Sequence, residues 1–335
     1  EVIGSYFAGT PFEGSLQSGQ SIRIMTGAKI PEGADTVIMQ EKATREENQV
    51  TFSSEDNHRA GENVRMAGED MREGEAVLQP GKTLGAAELG MIASLGYGAV
   101  TLKKRIKVAF FSTGDELCSA GETLGDGQIY DSNRYAIFGM LSALDVELID
   151  LGIIRDQREL IEQAFKDAAA QADVVITSGG VSVGEADFVK ETLDRVGEVN
   201  FWRIAMKPGK PLAFGKVDNA WFFGLPGNPV SAMVTFLQFV RPAINHLAGR
   251  ERVTPFRIPL RCSNTLKKRP GRLEFQRGIM QQNEKGETVV RGAGHQGSHI
   301  LRSMSIADCF IVLSPENSGV KAGDWVEVEP FPHNS

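Results

Sequence analysis

At 335 residues and 36.4 kDa the chain exceeds one ordinary core, so two or three domains are expected. Hydrophobic content of 41% and charged content of 24% are those of a globular protein. A net charge of -7 excludes a general nucleic-acid surface or a polybasic membrane patch, so any anion site must be local.

Residues 1–74 are rich in Gly and turn signals, and their short apolar runs SIRIM (21–25) and DTVIMQ (35–40) read as strands of a small β-rich domain. Residues 75–104 form a helix-containing linker domain. Leu84, Leu89, Ile92, Ala93 and Leu95 stand close to helical spacing, and a strand-like GAVTLKK (98–104) follows. The basic run Lys103, Lys104, Arg105 and Lys107 reads as a solvated boundary.

From 105 to 250 strand and helix patterns alternate. IKVAFF (106–111), VELIDLGII (146–154), DVVITS (173–178), VNFWRIAM (199–206), PLAF (211–214) and AWFFG (220–224) read as strands. Helices carry apolar faces at Ile137, Phe138, Leu141 and Leu144, at Leu160, Ile161, Ala164, Phe165 and Ala168, and at Val189, Leu193 and Val196. Another follows Asn228 and Pro229, which suit the N-cap and first helical position. The alternation predicts an α/β domain with a doubly wound, mostly parallel sheet. Residues 251–335, with runs such as FRIPLRC, LEFQRGIM, ETVVRG, CFIVLS and DWVEVEP, predict a C-terminal β-barrel-like domain. The fold class is thus multidomain α/β, a central sheet flanked by small β-rich domains.

In such sheets ligands bind beyond the carboxyl ends of the strands. Here those ends run into STGDEL (112–117), Arg155 and Asp156, SGGVSVGEAD (178–187), KPGKP (207–211) and LPGNP (225–229). Gly179 and Gly180 permit close backbone approach, while Ser178, Ser182 and the amides of the next helix offer donors to an oxyanion. Taken singly, each feature reads equally as a tight turn or a helix cap. Glu116, Asp156 and Asp187 nevertheless come from three strand ends, and Arg203, Lys207 and Lys210 from a fourth. Like charges converging on one cleft repel, and a divalent cation resolves the conflict. Mg²⁺ takes oxygen ligands and is usually held by one or two carboxylates plus substrate phosphates. Lys207 is expected to meet oxyanion charge as a point charge and to carry little of the fold, because Pro and Gly hold its turn.

Other chemistries fit less well. No Gx4GK[ST] loop and no GxGxxG after a strand are present. His295 and His299 are too few for a zinc site, and Ser112, Ser178 and Ser182 lack a nearby His for a hydrolase triad. Cys118, Cys262 and Cys309, odd in number and far apart, make neither a disulfide framework nor a zinc spacing, and suit a reducing cytoplasm. No apolar run approaches the roughly 20 residues of a membrane span. The chain opens at Glu1 rather than Met, so a preceding segment is expected.

Taken together, STGDEL, YDSNR (130–134), DLGIIRD (150–156), DVVITSGGVSVGEAD (173–187), KPGKP and LPGNPVSA (225–232) resemble the MoeA family of molybdopterin molybdenumtransferases, which includes the gephyrin E domain. RIMTGAKIPEGAD (23–35), AGEDMREGE (67–75), GRLEFQRG (271–278) and GHQGSH (294–299) extend the likeness over essentially the whole chain. The family carries an Asn-Ser-Ala-Met-Asp-Gly-Tyr-Ala type stretch before its first β domain, and this sequence starts after it.

The resemblance implies an enzyme that inserts molybdate into adenylylated molybdopterin with Mg²⁺, releasing AMP. It implies that Glu116, Asp156, Asp187, Arg203 and Lys207 serve the chemistry. Glu116, Asp156 and Asp187 would be the metal-side acids, with Glu116 read either as a ligand or as a base. Substrate contacts would come from Thr26, Asp70, Ser112, Thr113, Gly114, Ser178, Gly179, Gly180, Ser182, Lys210, Pro226, Pro229 and Ser298. Implied partners are a second copy of the chain, in a homodimer with a shared cleft, and molybdopterin adenylyltransferase. Nucleic acid and membrane are not among them, and the location is cytoplasmic. Two alternatives stand beside this reading: adenylyl transfer onto molybdopterin, which the flanking β domains disfavour, and a gephyrin-like receptor-binding scaffold.

Overall fold

The computed structural model describes residues 1–53, 57–180, 188–251 and 254–332, and the chain divides into two units, Glu1–Gln79 and Pro80–Ser335. In the first unit, strands β1 (Val2–Tyr6) and β2 (Ser21–Ile24) pair in parallel, and β3 (Ala43–Glu46) and β4 (Gln49–Phe52) form an antiparallel hairpin. None of these strands carries a fully buried residue. The apolar run 35–40 is not a strand. Its polar backbone is satisfied by a neighbouring loop instead, since Val37 N–H donates to the Glu62 carbonyl and Asn63 Nδ2 to the Val37 carbonyl.

The second unit opens with helix α1 (Ala86–Ser94). The following 98–104 segment stays irregular, with Val100 and Leu102 exposed, because its alternation finds no neighbouring strand to pair with. Then come β5 (Lys107–Thr113), the short β6 (Leu117–Cys118) and β7 (Ile129–Tyr130), α2 (Ser132–Ser142), β8 (Glu147–Ile154), α3 (Arg158–Gln171), β9 (Val174–Ser178) and α4 (Phe188–Val196). They are followed by β10 (Gly197–Arg203), β11 (Met206–Lys207), β12 (Pro211–Val217), β13 (Ala220–Leu225), α5 (Pro229–Thr235) and α6 (Arg241–Leu247). A π turn, Phe236–Val240, joins the last two. Pro242 lacks the N–H that would bond the carbonyl four residues back, which suits a widened turn there.

The main sheet has the order β10-β12-β13-β9-β5-β8, with β13, β9, β5 and β8 parallel and β12 antiparallel to both its neighbours. Period-two alternation covers both faces. Ala109 and Phe111 of β5 pack with α3 and α4 through Phe165 and Leu193, while Val108 and Phe110 pack with α2 and the α5–α6 segment through Leu141, Phe236 and Ile244. Helices on both faces of a largely parallel sheet put the strand ends at one open edge, the position where ligands bind in such folds.

The expected single strand 199–206 is two strands. β10 ends at Arg203 in the main sheet, and β11 pairs in parallel with β15 (Leu273–Gln282) of the C-terminal sheet. That sheet contains β14 (Ile258–Cys262), β15, β16 (Thr288–Gly292), β17 (Cys309–Leu313) and β18 (Trp325–Pro330), with helix α7 (Arg302–Ile306) beside it. The pairings β15–β16–β14–β18–β17–β15 close a ring around Cys262, Val290, Ile311 and Val328. A separate apolar cluster, in which Met206, Val230 and Val234 meet Phe275, Met304 and Phe310, fastens this ring to α5. The 207–211 turn is therefore held from two sheets at once.

Candidate active site

The strand ends of the second unit enclose a cavity of about 960 Å³ that brings together Thr113, Gly114, Glu116, Asp156, Ser178, Gly179, Gly180, Lys207, Lys210, Pro226 and Ser298. Each of these is a residue picked out in the sequence. Pro229 lies outside the lining, at the first position of α5, and Ser112 is wholly buried beneath it. Arg203 is exposed at the end of β10, opposite Pro211, and also lies outside. Thr26 and Asp70 belong to the first unit, where both are exposed. Ser182 and Asp187 lie outside the described residues.

The acidic side is built by the loops after β5 and β8. Gly114 has φ +147°, which favours glycine, and a Cβ there would stand 2.6 Å from Glu116 Oε2, so glycine leaves room for the Glu116 carboxylate in its present position. The Glu116 carbonyl accepts from Ile129 N–H at 2.8 Å, which begins the β6–β7 ladder. Arg155 Nη1 donates to the carbonyls of Asp115 (2.9 Å) and Leu117 (3.3 Å), and Asp156 N–H donates to Asp115 Oδ1 at 3.2 Å. These bonds fix one acidic loop against the other. Desolvation in the cleft, with Asp115 and Glu116 beside it, holds the Asp156 carboxyl above the usual carboxylate range. Asp131 adds a third carboxylate to the lining. Its Oδ1 caps α2 by accepting from Arg134 N–H at 3.1 Å, while Oδ2 is buried without a partner.

The floor is the Gly179–Gly180 turn after β9. Gly179 and Gly180 take φ of +93° and +63°, and a Cβ on Gly180 would meet Val189 Cγ2 at 2.3 Å. Asn133, buried at the start of α2, donates from Nδ2 to Ser178 Oγ and to the Gly227 carbonyl, both at 2.7 Å.

The basic side comes from both sheets. Lys207 Nζ lies 3.3 Å from Glu274 Oε1, its register partner in the β11–β15 pair, and the Lys207–Pro208 peptide is cis. Glu274 is buried and its other oxygen accepts from Gln276 Nε2 at 3.0 Å. Beside its expected place in the cleft, Lys207 thus has a partner that the sequence did not indicate: its half-exposed side chain pairs with a buried carboxylate. Lys210 and Arg272 add charge around it. Gln296, Gly297 and Ser298 close this side, and the buried Arg277 guanidinium ties their loop down through the Gly297 carbonyl (3.0 Å), the His295 carbonyl (3.4 Å) and Ser303 Oγ (3.0 Å). Burial pushes the Arg277 guanidinium down to about 10, so it remains charged at neutral pH.

Asp131, Asn133, Arg272, Gln296 and the buried Arg277 carried no role in the sequence reading. YDSNR, GRLEFQRG and GHQGSH marked their positions, yet a side chain that joins two distant loops has no periodic signature. Among the described residues no three His, Cys, Asp or Glu side chains converge closely enough to hold a metal ion by themselves. Glu116, Asp156 and Asp131 still supply hard oxygen donors, one of them orphaned, of the kind that Mg²⁺ takes together with substrate phosphates.

Three family models cover the chain: the MoeA N-terminal region (domain I and II) over residues 2–96, a probable molybdopterin binding domain over 109–246, and the MoeA C-terminal region (domain IV) over 259–331. The molybdopterin molybdenumtransferase of Haemophilus influenzae is 50% identical over 334 residues, spanning 99% of this chain and 82% of the relative. That of Staphylococcus aureus is 33% identical over 98% of this chain and 78% of the relative. The crystal structure of the molybdopterin biosynthesis moeA protein from Pyrococcus horikoshii superposes with a TM-score of 0.81 at 26% identity, over 98% of this chain and 80% of that one. Fold, strand-end cleft and near full-length identity agree, and the chain is a member of the MoeA family of molybdopterin molybdenumtransferases.

Proposed function

We propose that this chain inserts molybdate into adenylylated molybdopterin and releases AMP, with Mg²⁺ as the metal. The observation that carries the reading is the cleft itself. Strand-end carboxylates and cations from a second sheet face one cavity across a glycine-rich floor, in a chain half identical to a molybdopterin molybdenumtransferase.

In this reading the Gly179–Gly180 turn and Ser178 receive the substrate phosphates, and the turn keeps its shape only with glycine, because a Cβ would strike the Thr113 carbonyl or Val189. Lys207, Lys210 and Arg272 attract molybdate and screen developing charge on phosphate oxygens. Glu116 and Asp156 would hold Mg²⁺, with Asp187 as a further acid from the sequence motif. Bound there, the metal would offset the charge of the phosphoanhydride. An acid on this side positions the oxygen, of water or molybdate, that adds to phosphorus as the phosphoanhydride P–O bond breaks and AMP leaves. Gly114 and the Arg155 clamp hold Glu116 and Asp156 where that requires them.

A second copy of the chain completes the proposal. Helix α1 has no buried residue, and Leu89, Tyr97 and Leu102 nearby are exposed at 57%, 63% and 66%, an apolar face that suits burial in a homodimer. No helix among the described residues is long and apolar enough to cross a membrane, and the three cysteines are free and buried, which supports a cytoplasmic setting. Molybdopterin adenylyltransferase would supply the substrate. The test is AMP release from adenylylated molybdopterin as molybdate and Mg²⁺ are added. Release that depends on molybdate supports the reading. Consumption of ATP with molybdopterin in the absence of molybdate would instead identify an adenylyltransferase.

A further inference from the structure

We propose that Asn133 is a positioning residue that turns the Ser178 hydroxyl into the cleft, as a donor to the substrate's phosphate oxygens. The inference rests on the function proposed above and assigns a task to a side chain which that function left unused.

Asn133 is 8% exposed, and both hydrogens of its Nδ2 are engaged at 2.7 Å, by Ser178 Oγ and by the Gly227 carbonyl. A carbonyl oxygen only accepts, so the Gly227 contact fixes which end of the amide is nitrogen. The same nitrogen then donates to Ser178, whose oxygen must accept. Ser178 is left with its own proton to place, and among the described residues that hydroxyl donates to none. Ser178 is 3% exposed, lies beside Gly179 and Gly180, and lines the cavity, so the direction left to its proton is the cleft.

Two further observations mark this spot as built for a ligand. Asn133 Oδ1 is buried with no partner, an unfavourable arrangement that an apolar residue of similar size would avoid. Thr113 Oγ1, also buried and unpartnered, lies against the same turn, 3.2 Å from a Cβ built on Gly179 and 3.1 Å from one on Gly180. Asn133 also ties the last residue of β9 to the loop after β13, beside the point where the two strands pair through Ser178 and Leu225. Lys207, Lys210 and Arg272 make no contact with it among the described hydrogen bonds and ion pairs. Its effect should therefore fall on the adenylylated substrate and spare molybdate.

The experiment is a double-mutant cycle on the full chain, following AMP release with Ser178→Ala, Asn133→Ala and the double variant. Ser178→Ala should raise KM for adenylylated molybdopterin about 10- to 100-fold and Asn133→Ala about 2- to 10-fold. The double variant should be no worse than Ser178→Ala alone, with half-maximal molybdate unchanged throughout. Asn133→Leu, close in size and free of hydrogen bonds, carries the same comparison if the alanine variant does not fold. Effects that multiply in the double variant overturn the proposal, because Asn133 would then act independently of Ser178. A lowered melting temperature with KM unmoved also overturns it and leaves Asn133 purely structural. Wild-type protein that releases no AMP removes the functional reading, and this inference with it.

Discussion

The two sides of the cleft solve opposite electrostatic problems by different means. On the acidic side Glu116, Asp156 and Asp131 line the cleft with no ion pair to any of them among the described residues, and backbone contacts from Arg155 and the β6–β7 ladder hold their loops in place. On the basic side Lys207 is matched by a buried carboxylate, Glu274, and its loop is anchored in a second sheet. One side is left electrostatically unfinished and the other is balanced in advance. The difference teaches that the acidic side is arranged to receive a cation, while the basic side is arranged to keep its charge in place when an anion leaves.

The largest effect is expected from breaking the basic side. Lys207→Ala removes a charge-assisted contact and should raise the molybdate needed for half-maximal AMP release about 10- to 150-fold. It also strands buried Glu274, so the melting temperature should fall, by about 2 to 6 °C on the scale of a unit this size. Adding Glu274→Gln should recover most of the lost stability and none of the molybdate dependence. Recovery of both would make Lys207 a structural residue.

Next comes the acidic side. Asp156→Asn should lower AMP release about tenfold or more at fixed Mg²⁺, and higher Mg²⁺ should restore part of it, since an amide is the poorer ligand. Absence of any rescue points to acid–base work for this residue. Gly114→Ala should act on the same side more weakly, by several-fold in turnover. The new methyl group meets the Glu116 carboxylate and the backbone there, at φ +147°, disfavours a side chain. A melting temperature that falls while turnover holds would show that Glu116 has no need of its present position.

How much of this contrast was legible beforehand differs between the sides. Strand-end carboxylates were readable because short apolar runs break abruptly into Gly, Ser and Asp, as at Phe111 to Asp115 and Ile154 to Asp156. The Glu274 partner was not, because VNFWRIAM reads as one strand-like run and nothing in its pattern reports that Met206 and Lys207 leave one sheet for another. For the same reason Arg203 was expected in the cleft, although it ends β10 and stays outside. Asn133 sits at a position that α2 would bury in any case, so its polar role needed the positions of Ser178 and Gly227.

The smallest effect concerns the protein without ligands. The folded-state value of Asp156 lies above its unfolded one, so its contribution to stability is full at acid pH below the unfolded value and is lost as pH rises through the folded value. Asp156→Asn should therefore melt slightly higher than wild type at neutral pH in the presence of a chelator, and the gap should close as pH falls. A variant that melts lower at neutral pH would mean that Asp156 ionised supports the fold.

The central claim is that the two sides serve two different ligands, and a crossed titration tests it most directly. AMP release would be measured over a grid of molybdate and Mg²⁺ concentrations for wild type, for Asp156→Asn and for the stability-matched pair Lys207→Ala with Glu274→Gln. The account predicts that the Asp156 variant shifts the Mg²⁺ dependence alone and the Lys207 pair shifts the molybdate dependence alone. Variants that each displace both dependences to the same extent would contradict it.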